Sequence, residues 1–147
     1  MKAIDQYKEA NLLCKFKKKL TSKQLVEIQE RYIPKLVCYG YYGYGMGYFM
    51  CVTIVGTTLN HHRIDCNQRD MAFKALRAIH SLGILHNDIR EENILVNEKG
   101  EIYIIDFGLS IITNDRRQFY DEESKLSNLL DRYNLYVSKS CDAVTFA

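Results

Sequence analysis

The sequence predicts an α+β domain. Three observations carry that prediction: helical spacing of apolar residues across 67–82, a hairpin signature across 35–55 and a second across 93–105. In 67–82, Ala72, Ala75, Leu76, Ile79 and Leu82 share one face, Asn67 is placed to cap the start and Gly83 to end the helix. The first hairpin joins 35–39 (KLVCY) and 48–55 (YFMCVTIV), both rich in strand-favouring residues, through glycines at 40, 43, 45 and 47. The second joins Asn93–Val96 to Ile102–Ile105 around Asn97-Glu-Lys-Gly100.

The remaining elements are helical. Residues 2–31 read as two pieces, the first marked by Leu12, Leu13 and Phe16, the second capped by Thr21 or Ser22 and carrying Leu25, Ile28 and Gln29. Tyr32-Ile33-Pro34 ends that helix, because the residue before proline avoids helical backbone angles. A last helix is expected over 121–133, with Leu126, Leu129 and Leu130 inward. The length of 147 residues suits one domain, and there are no repeats.

Composition narrows the function class. The hydrophobic share of 47%, the charged share of 26% and the net charge of +2 are those of an ordinary globular chain. Neither nucleic acid nor an anionic membrane is expected as a partner, and Lys15, Lys17, Lys18 and Lys19 read as a solvated face. The start of the chain lacks the apolar run of a signal peptide, and no stretch approaches the roughly 18 apolar residues of a membrane span. Cys14, Cys38, Cys51, Cys66 and Cys141 are odd in number and widely spaced, so reduced thiols and an intracellular, cytoplasmic location are expected. The adjacent pair His61 and His62 reads as a surface loop.

The chemistry concentrates in 85–110. His86-Asn87-Asp88-Ile89-Arg90-Glu91-Glu92-Asn93 follows the 67–82 helix, and Asp106-Phe107-Gly108 follows the second hairpin. Asn93 stands five residues after Asp88, and Asp106 eighteen after it. Six specified residues at fixed places arise by chance on the order of once in 10⁷ to 10⁸ placements, so a polar loop of no function is a poor account of them.

These residues resemble the catalytic loop and metal-binding segment of the protein-kinase-like superfamily, with its H-x-D, following Asn and later D-F-G. The resemblance runs from about Tyr32 onward, and IDFGLS with the short part after it is similar to compact atypical kinases of tRNA-modification complexes and to fungal kinase-like fragments. It implies one truncated domain. Residues 1–60 would form a reduced small lobe of N-terminal helices plus an antiparallel hairpin, ending in the hinge. Residues 61–147 would form a truncated helical C-lobe around the catalytic-loop hairpin.

The resemblance implies ATP and Mg²⁺ as cofactors and a protein hydroxyl as acceptor. Asp88 would serve as base and Arg90 would face the phosphoryl group, unless Arg90 pairs on the surface with Glu91 or Glu92. Asn93 and Asp106 would hold the metal, since magnesium takes hard oxygen ligands and keeps several waters. Ile54, Val55 and Gly56 would lie at the adenine, and His86, Phe107 and Gly108 would be structural. Asp121 or Glu122 would anchor the loop, although an N-cap is the simpler reading.

The sequence also departs from the family pattern. No glycine-rich loop with a strand lysine is evident: Gly43-Tyr-Gly45-Met-Gly47 reads as a hairpin turn, Lys2 is too terminal, and Glu9 has no such lysine to pair with. Asn87 stands where the family carries arginine, and no A-P-E follows Gly108. A partner protein completing the small lobe is therefore one expectation. Two alternatives stay open beside an active kinase: an impaired kinase-like binding module, and a small-molecule kinase of the aminoglycoside-phosphotransferase type, which Phe107-Gly108 disfavours.

Overall fold

A computed structural model describes residues 28–44, 47–53 and 55–135 of the chain. The two N-terminal helical pieces lie almost wholly outside these residues. So do Lys2, Glu9, Ile54 and the tail after Leu135.

The first hairpin pairs β1 (Leu36–Tyr42) with β2 (Gly47–Val52) in antiparallel register, with Tyr41 opposite Tyr48 and Gly40 opposite Phe49. Its strands extend further toward the turn than the apolar runs suggested, because tyrosine and glycine residues there still complete the ladder. A three-stranded sheet follows, in the order β3 (Thr57–Thr58), β5 (Ile94–Val96), β6 (Ile102–Ile104). Both pairings are antiparallel, and Ile94, Val96, Ile102 and Ile104 are buried. The Tyr32 carbonyl accepts the Ile104 N–H at 2.9 Å, which ties the 28–33 segment to this sheet.

Helix α1 (Cys66–Ser81) packs on β6 and buries Ala72, Ala75, Leu76 and Ile79, the face expected from spacing. Its cap is Asp65 rather than Asn67. Asp65 accepts the Gln68 N–H while Gln68 Oε1 accepts the Asp65 N–H, so the side chain three residues on selects the start. Gly83 closes the turn after α1 at φ +74°, a left-handed angle that glycine takes without cost. Strand β4 (Ile84–Leu85) then pairs antiparallel with β7 (Ile111–Ile112).

Helix α2 (Arg116–Asp131) starts five residues before the expected 121–133 and is capped by Asp115, whose side chain accepts the Arg117 N–H at 2.9 Å. The apolar stripe of Leu126, Leu129 and Leu130 is buried as expected, but the polar opening Arg116-Arg117-Gln118 carries no hydrophobic period and so hid the true start. Arg69 of α1 fastens the two helices, donating to Ser127 Oγ at 2.7 Å and pairing with Asp131 at 2.8 Å.

One expectation is overturned outside the core. Cys66 is disulfide-bonded, against the reading of five reduced thiols. Disulfide formation depends on distance through space, which wide spacing along the sequence does not report.

Candidate active site

The segment between β4 and β5 owes its shape to His86. This side chain is fully buried. Its Nε2–H donates to the Ile105 carbonyl at 2.8 Å, and its Nδ1 accepts the Asp88 N–H at 3.2 Å. Its own carbonyl accepts Ser110 Oγ–H at 3.0 Å, and its ring meets Phe107 edge-on at a centroid distance of 5.0 Å. One imidazole thus staples the Asp88 N–H to the backbone just before Asp106 and packs on the Phe107 ring just after it. Burial pushes the His86 pKa down, partly opposed by the Ile105 hydrogen bond and by the nearby charges of Glu122, Asp88 and Asp106. The ring is therefore neutral, as its one-donor, one-acceptor pattern requires.

Glu122 fixes the same loop from α2. Its Oε2 accepts the His86 N–H at 3.0 Å and its Oε1 accepts the Asn87 N–H at 2.5 Å. His80 of α1 donates Nε2–H to Oε2 at 2.7 Å. Burial alone would raise the Glu122 pKa. The His80 hydrogen bond and the two backbone N–H groups outweigh it and hold the carboxyl below its ordinary value. Of the two acids expected to anchor the loop, Glu122 does so and Asp121 is exposed. Glu122 lies in the second turn of α2, so the simpler N-cap reading is corrected: Asp115 takes that place.

Asn87 sits at φ +67°, a left-handed angle that asparagine tolerates better than longer or branched side chains. Its presence where an arginine was expected fits that backbone angle.

Asp88 and Asn93 meet directly. Asn93 Nδ2 donates to the Asp88 carbonyl at 2.9 Å and to Asp88 Oδ2 at 2.9 Å. The short 3₁₀ turn Glu91–Asn93 brings them together. The Asn93 backbone carbonyl accepts the Ile105 N–H at 3.0 Å, linking this turn to the end of β6. Arg90 reaches Asp88 Oδ2 at 3.3 Å and is 55% exposed. The alternative of a surface pair with Glu91 or Glu92 is not what forms: Arg90 contacts Asp88, and Glu91 lies 3.9 Å from Arg132. The 3₁₀ turn puts Asp88, rather than the next residues in sequence, beside the guanidinium.

Asp106 adopts φ +64°, and its Oδ1 accepts the Gly108 N–H at 3.1 Å. A Cβ on Gly108 would stand 3.1 Å from that oxygen, so the glycine allows the turn to close on the carboxylate. Phe107 is buried under the His86 ring. Asn93 Oδ1 and Asp106 Oδ2 have no hydrogen-bond partner among the described residues. Hard oxygens of this kind suit Mg²⁺, which needs few protein ligands and keeps its waters. No three His, Cys, Asp or Glu side chains converge on a metal position among the described residues.

The expected hinge is partly described. Val55, Gly56 and Thr57 line a cavity of about 540 Å³ with Val96, Asn97 and Tyr103. Gly56 crosses β5 so closely that a Cβ there would lie 2.6 Å from the Val96 carbonyl carbon. Asp88, Asn93 and Asp106 do not line this cavity.

Sequence reasoning missed His80 and Ser110. His80 follows the buried Ile79 and sits four residues after the buried Leu76, so a polar group on the apolar face of α1 was the available signal.

Comparison with known proteins shows the family. Residues 14–127 match the family model described as the protein kinase domain. A serine/threonine-protein kinase of Schizosaccharomyces pombe, ppk31, is 29% identical over 136 residues, covering 84% of this chain and 13% of that protein. Human ribosomal protein S6 kinase alpha-2 is 51% identical over 47 residues, covering 31% of this chain and 6% of that protein. The cell cycle protein kinase DBF2 of Saccharomyces cerevisiae is 32% identical over 71 residues, covering 48% and 12%. The matched part is thus a small fraction of these relatives' length. Together with the loop held by His86 and Glu122, the match over 14–127 means that this chain belongs to the protein kinase family.

Proposed function

We propose that the chain is an ATP-dependent phosphotransferase of the serine/threonine kinase type, with Asp88 as the residue that orients an acceptor hydroxyl and takes its proton. The observation that carries this reading is the Asp88–Asn93 pair. One amide nitrogen fixes both the loop backbone and Oδ2 of the base. Oδ1 of Asp88 is left to face the acceptor. Such positioning is most of what phosphoryl transfer asks of a protein.

Arg90, beside Asp88 Oδ2 and half-exposed, supplies positive charge where the transferring phosphoryl group carries negative charge. Asn93 Oδ1 and Asp106 Oδ2 would hold the metal. Magnesium, when bound, neutralises charge on the phosphates. His86 and Glu122 position the loop and do not touch substrate. Val55 and Gly56 contact the adenine in this reading, in a domain whose residues 1–60 form small lobe and hinge and whose residues 61–147 form the large lobe.

A second reading is a kinase-like binding module that relies on a partner protein to complete the small lobe. The observation favouring it is that no lysine among the described residues bonds Asp106. A thermal-shift titration with ATP and Mg²⁺ separates the two. The first reading expects a magnesium-dependent rise in Tm that Asp106→Asn abolishes, together with phosphate transfer that Asp88→Ala abolishes. No rise at millimolar nucleotide supports the second.

A further inference from the structure

The turn that carries Asp106 is bound to His86 on both of its flanks. Upstream, the Ile105 carbonyl accepts the His86 Nε2–H at 2.8 Å, and the Ile105 N–H donates to the Asn93 carbonyl at 3.0 Å. Downstream, the Ser110 hydroxyl donates to the His86 carbonyl at 3.0 Å. Inside the turn, Asp106 Oδ1 accepts the Gly108 N–H and the Phe107 carbonyl accepts the Ser110 N–H, both at 3.1 Å. Ser110 therefore closes the turn with its backbone and fastens it with its side chain. Its own burial is unusual for the segment. Ser110 is 5% exposed, while its apolar neighbours Leu109, Ile111 and Ile112 are 57%, 42% and 47% exposed. That reverses the ordinary preference, in which serine faces water and leucine and isoleucine are covered. The hydroxyl is kept inside with its hydrogen bond made.

His86 leads directly into the loop of Asp88, and its Nδ1 accepts the Asp88 N–H at 3.2 Å. Strand pairing between β4 and β7 is only two residues long on each side, Ile84 with Ile112 and Leu85 with Ile111. With Ile105 alone held, the turn could pivot about that residue. The second attachment, at Ser110, removes that freedom.

We propose that Ser110 is a positioning residue of the phosphotransfer site, its hydroxyl setting the spacing of Asp106 from Asp88 and so the alignment of a metal-bound phosphate with the acceptor hydroxyl. This rests on Asp88 as base and Asp106 as metal ligand, as proposed above. Ser110 itself touches neither substrate nor metal. A misplacement of about 1 Å between reacting groups costs on the order of 10²-fold in rate, so one hydroxyl bond is enough to matter. Water is small and finds its own approach to the phosphate, whereas a hydroxyl on a polypeptide has one approach. Loss of the bond therefore diverts ATP from transfer to hydrolysis.

The test compares Ser110→Ala, which removes the donor and little volume, with Ser124→Ala. Ser124 makes the same kind of bond, to the Tyr120 carbonyl at 3.0 Å, on the exposed side of α2. Two measurements are made on the full chain. Amide hydrogen exchange, which needs no turnover, should show Asp88 and Gly108 exchanging roughly two- to tenfold faster in Ser110→Ala, with Ala75 and Ile79 of α1 unchanged. Phosphate transfer should show kcat lowered by about ten- to a hundredfold, the KM for ATP nearly unchanged, and the ratio of ATP hydrolysis to transfer raised by about tenfold. A smaller folded fraction would lower hydrolysis and transfer together and leave their ratio alone. Ser124→Ala should match the wild type in both measurements. The proposal is overturned if Asp88 exchange is unchanged in Ser110→Ala, if the α1 amides accelerate as much as Asp88, or if the ratio stays at its wild-type value. A wild-type chain that transfers no phosphate overturns the proposed function instead, and the exchange of Asp88 and Gly108 then decides alone whether Ser110 holds the two segments in register.

Discussion

Glu122 accepts the backbone N–H of Asn87 at 2.5 Å, across 35 positions of chain, and so fixes the loop that presents Asp88 from a different helix. The same carboxylate takes the His86 N–H and the His80 ring. Three donors on one buried acid make it the point on which the loop geometry depends.

Glu122→Ala should therefore be strongly destabilising, by about 3–5 kcal/mol, because it strands two buried donors and a part-buried one at once. Glu122→Gln keeps an acceptor and should cost less. Urea denaturation reads both. The folded Glu122 pKa lies below the ordinary 4.5, so its contribution is complete above that value and is lost as pH falls through the folded value. Acid titration of stability should show this loss in the wild type and lack it in Glu122→Gln.

His86 gives a second pH signature at a higher pH. Burial lowers its pKa below 6.5, so the unfolded chain binds the proton first. Stability should be full above about pH 6.5 and decline as pH falls from there toward the folded value, below which the slope from this group vanishes. Denaturant midpoints between about pH 7.5 and pH 5, compared with those of a His86→Leu chain that lacks the titration, measure it.

Asn87 is expected to tolerate glycine and to reject valine. At φ +67°, Asn87→Gly should change stability little, whereas Asn87→Val should cost on the order of 1–2 kcal/mol or more. An equal loss in both would show that the asparagine side chain, rather than the backbone angle, is what matters.

For the proposed reaction, Asp88→Ala should lower phosphate transfer by roughly 10²- to 10⁴-fold. ATP binding should be nearly unchanged, because Asp88 faces the acceptor. Asp106→Asn should instead remove the magnesium-dependent part of ATP binding. With ATP at 100 times its dissociation constant, the wild type gains about 2.7 kcal/mol of stability, and the variant should lose most of that. Parallel thermal-shift and transfer assays distinguish the two roles.

Much of the local arrangement around Asp88 was legible because its residues are close in sequence. Asp88, Arg90 and Asn93 share one short loop, and a fixed run of residues with a fixed local backbone needs no long-range information to bring them together. Asp106 joins them through a hairpin whose turn residues are equally local. The apolar faces of α1 and α2 were legible for the same reason: a 3.6-residue period is written in the chain. The starts of both helices were misplaced because caps are set by single side-chain hydrogen bonds, as at Asp65 and Asp115.

What the sequence determined by itself was the family, the two long helices, the two hairpins and the run of residues around Asp88. Only the tertiary structure decided which groups hold that loop. His80 and Glu122 are 42 positions apart, and His86 and Ile105 are 19 apart. Their hydrogen bonds exist because α1, α2 and β6 pack on one core, and long-range packing leaves no period or spacing in the sequence to read.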